Sequence, residues 1–598
     1  MLNTLVEYAE RRIPDAEPGF KTREVRWRIE LDPNGKLLGV VPLGDGKHGR
    51  DQPRCPDMHG MNAGRKSHFL VETAQTITLL FKENEDQKKI ANTKEKHKFY
   101  VKLLHNAAAA IPALAPLFNI LKDEARLAEV RDALSAQKAK PTDWVGWSIN
   151  GTDPRESPDV QAWWREWRRH DLPTSTAVDG GDTKDIGQAK MLCLLTGESV
   201  LPLPTHPKIT GLVGVGGLST GDVMVGFDKA AFGSYGLDQS ANAAMSAEAT
   251  QKYVDGLNDL VRNHSYKLGN SLAAHWFKEQ VPIENDPLAF LYGLESEEQT
   301  EAAALGAARR LLDSIRSGVR ADLGRNRYYA LILSGAAGRV MVRDWMEGDF
   351  KNLAENISAW FDDLAIVSRS GQGRAPDPKF IDVCGALVRE LKDLPAPTSA
   401  TLWKTAVQRL AISQALMAQA LVRFRADVVD QNQSPINHAR MKLIHARMGL
   451  IKAYFVRLKP GDDATMTAYL NPDHPAAAYH CGRLLAVLAN LQRAALGDVG
   501  AGVVQRYYSA ASQMPGLVLG RLIGNARHHL GKLEGGLAYW YENQIADVMS
   551  HLRDNAPRIL DLEGQGLFAL GYYQQLAALR GGSKNSTAKS TTEQGEPQ

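Results

Sequence analysis

From about Lys379 to Leu579 apolar residues recur at the three- and four-residue spacing of helices, broken only by LPAPTS, LKPGDD and LNPDHP. Helices joined by such short connections pack side by side and antiparallel, so this half of the chain is predicted to be a helical bundle. The pattern before it differs in kind. In EVRWRIEL, Val25, Trp27, Ile29 and Leu31 alternate with charged residues; DPNG signals a turn, and KLLGVVPL returns as the partner strand. RSGQGRAPDP, from Arg369, reads as the linker between the two regimes. The expected fold class is therefore α+β: a mixed α/β N-terminal body with short strands, followed by an all-α bundle.

Within the N-terminal body, Leu2, Leu5, Val6 and Ala9 share one face of a first helix. Residues 44–64 are rich in Gly, Pro, Asp and Lys/Arg and predict a long surface loop, which in a compact domain is usually functional. Helical spacing resumes near Phe69 and lasts to about Ala136. From Trp144 to Ile366, MLCLLTGESVLPL, DVMVGF, YYALIL and RVMVRDW read as strands, and AEATQKYVDGLNDLV and FKNLAENISAWFDDL as helices. Expected divisions are 1–140, 141–368 and 379–580, with 581–598 a disordered tail that lacks core-forming residues.

At 598 residues the chain is too long for one core. Its formal net charge of +3 leaves no overall electrostatic footprint, so any nucleic-acid role must rest on local basic patches. The four cysteines lie far apart, which suits a reducing cytoplasm and argues against a disulfide scaffold or zinc ribbon. MLNTLVEYAERR is neither a signal peptide nor an anchor, and no run of apolar residues is long enough for a membrane span.

Several short motifs invite chemical readings. GLSTG matches a nucleophile elbow, but DVMVGF follows it as a strand rather than a helix, so Ser219 is expected in a hairpin turn. The adjacent GVGG lacks the helix and Lys-Ser/Thr of a phosphate loop. RCPDMHGMNAGRKSHFL carries Cys55, His59 and His68 at spacings that fit no standard zinc pair. Its Asn62, Arg65 and Lys66 around Gly64 suit either a loop entering a DNA groove or a solvated basic loop. In VQAWWREWRRH the tryptophans are more simply a buried helix face than a base-stacking surface. The adjacent His528 and His529 point to different sides of a helix, on a basic surface. LNPDHPAAAYHCGRLL puts His474, His480 and Cys481 close in sequence, yet His480 and Cys481 diverge on a helix that Asp473 is placed to cap. No metal or cofactor is expected.

The segments LVEYAERR, VRWRIELDPNGKLLGVVPL, AFGSYGLDQSANAAMS, ILSGAAGRVMVRDWMEGDFKNLAENISAWFDDLAI and HPAAAYHCGRLLAVLANLQRAALGD, in that order, resemble the large subunit of the type I-C CRISPR Cascade complex. The chain departs from that pattern at Gly335 and Ala336, and at Ala244. The resemblance implies a non-catalytic subunit that works with CRISPR RNA, reads the short motif flanking the target in double-stranded DNA and helps open the duplex. It also implies Cascade backbone and RNA-processing subunits as partners, with a helicase–nuclease recruited later. The end of the bundle, about 466–580, is then similar to the small subunit, which holds the displaced single strand and is also made separately by internal translation. Met466 is the expected internal start, since it falls after LKPGDD and before the proline-marked helix. On this reading Asn62, Arg65, Lys66 and His68 contact duplex DNA, and Arg483, Arg521, Arg527 and Lys532 contact the displaced strand. Rival expectations are a serine hydrolase built on Ser219 and a helical scaffold that binds no nucleic acid.

Overall fold

The computed structural model describes every residue except 14–16, 46–47, 59–64, 176–189, 228, 238, 294–302, 431–436, 459–464, 498, 500, 553–555 and 593–598. The chain forms two compact units, Met1–Asn263 with Gly335–Met341, and His264–Ser334 with Val342–Gln598.

The first unit opens with helix α1 (Leu2–Arg12), then β1 (Phe20–Val25), β2 (Trp27–Leu31), β3 (Leu37–Pro42) and β4 (Arg50–Pro56). After these come β5 (Glu72–Thr73), α2 (Ala74–Thr78), α3 (Gln87–Ala110), α4 (Ala115–Leu121), α5 (Glu124–Ala136) and β6 (Trp144–Ile149). The unit ends with α6 (Pro158–Ser175), the two-residue strands β7 (Met191–Leu192) and β8 (Ser199–Val200), and α7 (Ala247–Asn263).

The β2–β3 hairpin forms as its alternation predicts, with Ile29 opposite Val40. It joins a four-stranded sheet of order β3-β2-β6-β5, in which β2 and β6 run parallel with Ile29 beside Trp147. One face of this sheet carries Trp27, Ile29, Leu31 and Trp147 into a core completed by Tyr100, Leu103 and Leu104 of α3 and Trp164 and Trp167 of α6. The tryptophans of α6 are thus core residues: the Trp164 and Trp167 rings stack 5.1 Å apart.

Four strand expectations are corrected, the first being MLCLLTGESVLPL, of which only the two-residue strands β7 and β8 form, paired antiparallel. EVRWRIEL is broken at Arg26, so β1 and β2 belong to different sheets. The presumed loop 44–64 contains β4, which pairs antiparallel with β1. The register shifts between Lys21 and Arg23, opposite Pro53 and Arg54, and a bulge is where a strand tolerates a proline that cannot donate. DVMVGF is not a strand: it contributes only isolated bridges, Asp222 to Ile209 and Val223 to Arg339. Asp222 is instead buried, its carboxylate accepting from the Leu218 amide at 3.2 Å.

The second unit begins with β9 (Ser265–Leu268) and β10 (Ser271–Phe277), followed by α8 (Pro287–Tyr292), α9 (Ala303–Arg316) and α10 (Ala321–Gly324). Strands β11 (Arg327–Ala336) and β12 (Arg339–Asp349) complete an antiparallel sheet of order β12-β11-β10-β9, on which α11 (Phe350–Leu364) follows. The helical region then runs α12 (Phe380–Ala386), α13 (Ala396–Val407), α14 (Gln414–Val429), α15 (His438–Leu458), α16 (Ala477–Leu496), α17 (Val503–Ala511), α18 (Pro515–Leu530), α19 (Gly535–Leu552) and α20 (Leu562–Thr592).

The closest helix crossing is between α16 and α20. A Cβ on Gly482 would lie 2.0 Å from Phe568 O, and one on Gly571 would lie 2.0 Å from Tyr479 O. Backbones approach this closely only where both positions lack a side chain. Helix α20 also continues to Thr592, into the segment that composition assigns to a disordered tail. Extending a helix already anchored by packing costs far less than nucleating one.

Candidate nucleic-acid interface

The first unit holds a cleft of about 1060 Å³. Lys89, Asn92, Thr93 and Lys96 line one wall; their spacing places them on a single face of α3. Gln251, Asp255, Asn258 and Arg262 present one face of α7, and Lys21 and Arg23 come from β1. Lys208, Thr210 and Thr220 add a third side. Threonine hydroxyls, amides and long cations therefore surround a space large enough for a polyanionic chain.

The charges within the cleft are not evenly matched. Asp57 is committed to Arg23, whose Nε donates to Asp57 Oδ2 at 2.8 Å while the guanidinium lies 3.9 Å from the Trp144 ring centroid. Glu72 accepts the backbone amides of His68 and Thr73 at 2.9 and 2.8 Å. Asp259 accepts from the Tyr8 hydroxyl at 2.6 Å. Burial pushes the Asp255 carboxyl up to about 6, against the opposing effect of the Gln251 hydrogen bond and of Lys21. Lys89 pairs with Glu85 outside, but Lys21, Lys96, Lys208 and Arg262 have no carboxylate within 4 Å among the described residues. Cations without partners, facing open space, are what phosphate recognition needs.

The expected DNA-contacting loop ends at this cleft. Asn62 lies outside the described residues. Arg65 is exposed and close enough to influence Glu95 of α3. Lys66 is half-buried, and burial alone pushes its ammonium down to about 8. His68 is only 3 % exposed, which corrects its expected role as a contact. Its Nδ1 accepts from the Met58 amide at 3.0 Å, its Nε2 lies 3.2 Å from Arg23 Nη2, and burial holds its pKa below the usual histidine value. His68 is a post that fixes the loop's stem.

The bundle cations divide in the same way. Arg521, Arg527 and Lys532 are exposed at α18 and just beyond it, with no carboxylate partner within 4 Å among the described residues. Arg483 is 2 % exposed and cannot serve as a surface contact. It ties three helices and a turn together, through Gln575 at 2.9 Å, Asp547 at 3.0 Å and the Pro472 carbonyl at 3.0 Å. Met466 is half-buried against the helical core.

The stretch around His474 is a helix start. His474 Nδ1 accepts from the Ala476 amide at 3.1 Å, so this imidazole, and not Asp473, meets the backbone ahead of α16. His480 stacks on His551 with ring centroids 4.9 Å apart, and burial pushes the Cys481 thiol up to about 12. No group of three or more metal-ligating side chains assembles among the described residues. Ser219 is exposed in the Leu218–Gly221 turn, where Gly221 N donates to Leu218 O at 3.0 Å, and no helix follows.

Sequence reasoning missed α3 as a wall of the cleft, which it lines with Lys89 and Lys96. QKKIANTKEKHKFYVK holds Lys88, Lys89, Lys94, Lys96, Lys98 and Lys102, and the density of that run was the available signal.

The first unit thus sets the β1–β4 pair and one face of α3 around an open cleft lined by several cations. The chain belongs to a CRISPR-associated family: the model of the CRISPR-associated protein (Cas_Csd1) family matches residues 5–580, nearly the whole length. It is thus a Cascade-type component of a CRISPR effector complex that carries a guide RNA. No curated protein matches the chain. Among the described residues no helix is long and apolar enough to cross a membrane.

Proposed function

We propose that the chain is the non-catalytic large subunit of a type I-C Cascade complex, acting in the cytoplasm, and that its first unit reads the motif flanking the target in duplex DNA. The observation that carries this reading is the cleft in which Lys21, Lys96, Lys208 and Arg262 stand without carboxylate partners among the described residues, with His68, two residues beyond Lys66, in its lining. The cations track phosphates and fix the register, while Thr, Asn and Gln side chains supply the hydrogen bonds from which base readout is made. Holding the duplex there favours its opening onto the guide RNA, and the exposed cations Arg521, Arg527 and Lys532 retain the displaced strand until the helicase–nuclease arrives.

The test is binding of target duplex by the assembled complex carrying Lys21→Glu, Lys96→Glu and Lys208→Glu. Duplex affinity should collapse and the salt dependence flatten, while guide RNA and partner subunits still co-purify. Unchanged duplex affinity would reject the cleft as the interface. We further propose that the small subunit is translated from Met466 of the same gene. A C-terminally tagged gene should then yield a short product that disappears on Met466→Leu, and persistence at the same mass would exclude this start.

A further inference from the structure

The most exposed large hydrophobic side chain among the described residues is Tyr235, at 100 %. It stands at the tip of a tight turn, where Leu237 N donates to Ser234 O at 2.8 Å and the same two residues pair as an antiparallel bridge. Tyr235 and Gly236 both have positive φ, +52° and +73°. Turns of this hand are made from Asn and Gly, and a bulky residue there is strained.

Asn242 fastens the turn from beneath. Its Oδ1 accepts from the Ser234 amide at 3.0 Å, and its Nδ2 donates to the carbonyls of Leu237 and Gln239 at 2.9 and 3.0 Å. The fold therefore fastens Tyr235 through these hydrogen bonds in an unfavourable conformation and gains no burial from it. Strain kept without a packing return is a signature of a functional position.

The surroundings indicate the kind of ligand. Gly233, Ser234 and Gly236 flank the ring and offer no apolar patch for a protein to cover, and a Cβ at Gly236 would meet nothing within 4 Å. In the same loop Phe232 is 39 % exposed, and the Arg339 guanidinium lies 5.3 Å from its ring centroid. Lys229 is exposed nearby in sequence. An isolated ring with open space beside it, accompanied by a second ring and cations, suits a flat aromatic ligand on a charged chain.

We propose that the Ser234–Leu237 turn is a stacking platform for an unpaired nucleobase, with Tyr235 as the stacking ring and Arg339 and Lys229 serving the adjoining phosphates. This rests on the nucleic-acid reading given above and adds a specific contact to it. The base belongs either to the guide RNA or to opened target DNA, and the experiment separates the two.

Fluorescent 2-aminopurine is placed in turn at the unpaired positions of the guide RNA and of the target strands, and its emission is followed in the complex containing the full-length chain. One position, in one of the two nucleic acids, should be quenched. Tyr235→Ala should abolish that quench and weaken binding roughly tenfold, the scale of one base–aromatic stack. Tyr235→Trp should preserve both. Tyr235→Asn should lose the quench yet raise the unfolding temperature, because Asn accepts this backbone conformation. A wild-type complex that binds both nucleic acids but quenches no position overturns the proposal, as does a quench that survives Tyr235→Ala. Loss of a partner subunit in Tyr235→Ala with the quench intact would mean that the loop docks a protein, and the proposal falls. A wild-type complex that binds neither nucleic acid overturns the underlying reading as well.

Discussion

Lys66 offers a test of the interface that depends on pH rather than on deleting a residue. Burial pushes its ammonium down to about 8, with no carboxylate to restore it. The free protein then carries roughly nine-tenths of the charge at pH 7 and about one-tenth at pH 9. A phosphate beside the amine favours the charged form, so the bound lysine returns toward its ordinary value. Affinity for target duplex should therefore fall roughly tenfold between pH 7 and pH 9, where an unperturbed lysine would give almost no change. Lys66→Arg should remove the dependence, since a guanidinium stays charged throughout. The assay is fluorescence anisotropy of labelled target duplex against the assembled complex at constant ionic strength. The slope of log affinity against log salt should also drop by about one unit in Lys66→Ala. Parallel pH curves for the wild type and Lys66→Arg would show that Lys66 touches no phosphate.

Three further outcomes follow from buried groups. Asp255 has its pKa raised in the fold to about 6, so its stability contribution is complete below the unfolded value near 4 and is lost as pH climbs through 6. Asp255→Asn should therefore unfold later than the wild type at pH 7.5 by a margin on the order of 2–3 kcal/mol, and with no margin near pH 4; an equal margin at both would refute the assignment. Arg483→Ala should lower the unfolding midpoint by an amount on the order of 2–4 kcal/mol, because Gln575, Asp547 and the Pro472 carbonyl lose their donor, whereas Arg521→Glu with Arg527→Glu should leave the midpoint alone and release the displaced strand. Gly571→Ala should force α16 and α20 apart and cost roughly 1–3 kcal/mol or more in thermal unfolding, and an unchanged midpoint would mean that the crossing is looser than described.

What the sequence made legible was local. The helices of the bundle and the β2–β3 hairpin declare themselves through periodicity, because each needs only neighbours in sequence to bury one face. Strand β4 did not, since RDQPRCP has neither alternation nor β-branched residues and is held by a distant partner in β1. Arg483 shows the same limit at a site. Arginine among leucines reads equally as a phosphate contact or as a buried tie, and the deciding residues, Asp547 and Gln575, lie far along the chain. His68 looked like a loop residue because its true partners, Arg23 and the Met58 amide, become neighbours only through the β1–β4 pairing and the return of the loop. The lysine run of α3 was visible but diluted by a near-neutral total charge.

The helical region has an axle, and it bears on how the end of the chain can exist alone. Helix α15 is buried on all sides from Ile444 to Phe455, its polar residues His445, Arg447 and Lys452 included. Its charged residues are spent on tying it in: Arg457 Nε reaches Asp363 at 2.7 Å, Arg447 Nε reaches the Ala386 carbonyl at 2.8 Å, and Lys452 Nζ reaches the Asp362 carbonyl at 3.2 Å. Its other side meets α20, where Gly566 would bring a Cβ to 3.1 Å from the Phe455 ring and 3.4 Å from the Met417 sulfur. A product beginning at Met466 keeps α16 through α20, with the Gly482–Gly571 crossing intact, but lacks both α14 and α15. The apolar face that receives Phe455 and Met417 is then bare, and a patch of that kind in water is covered by association. If the bundle is made separately, as proposed, the short chain has to find in a neighbouring subunit the cover that α14 and α15 give it in the long one.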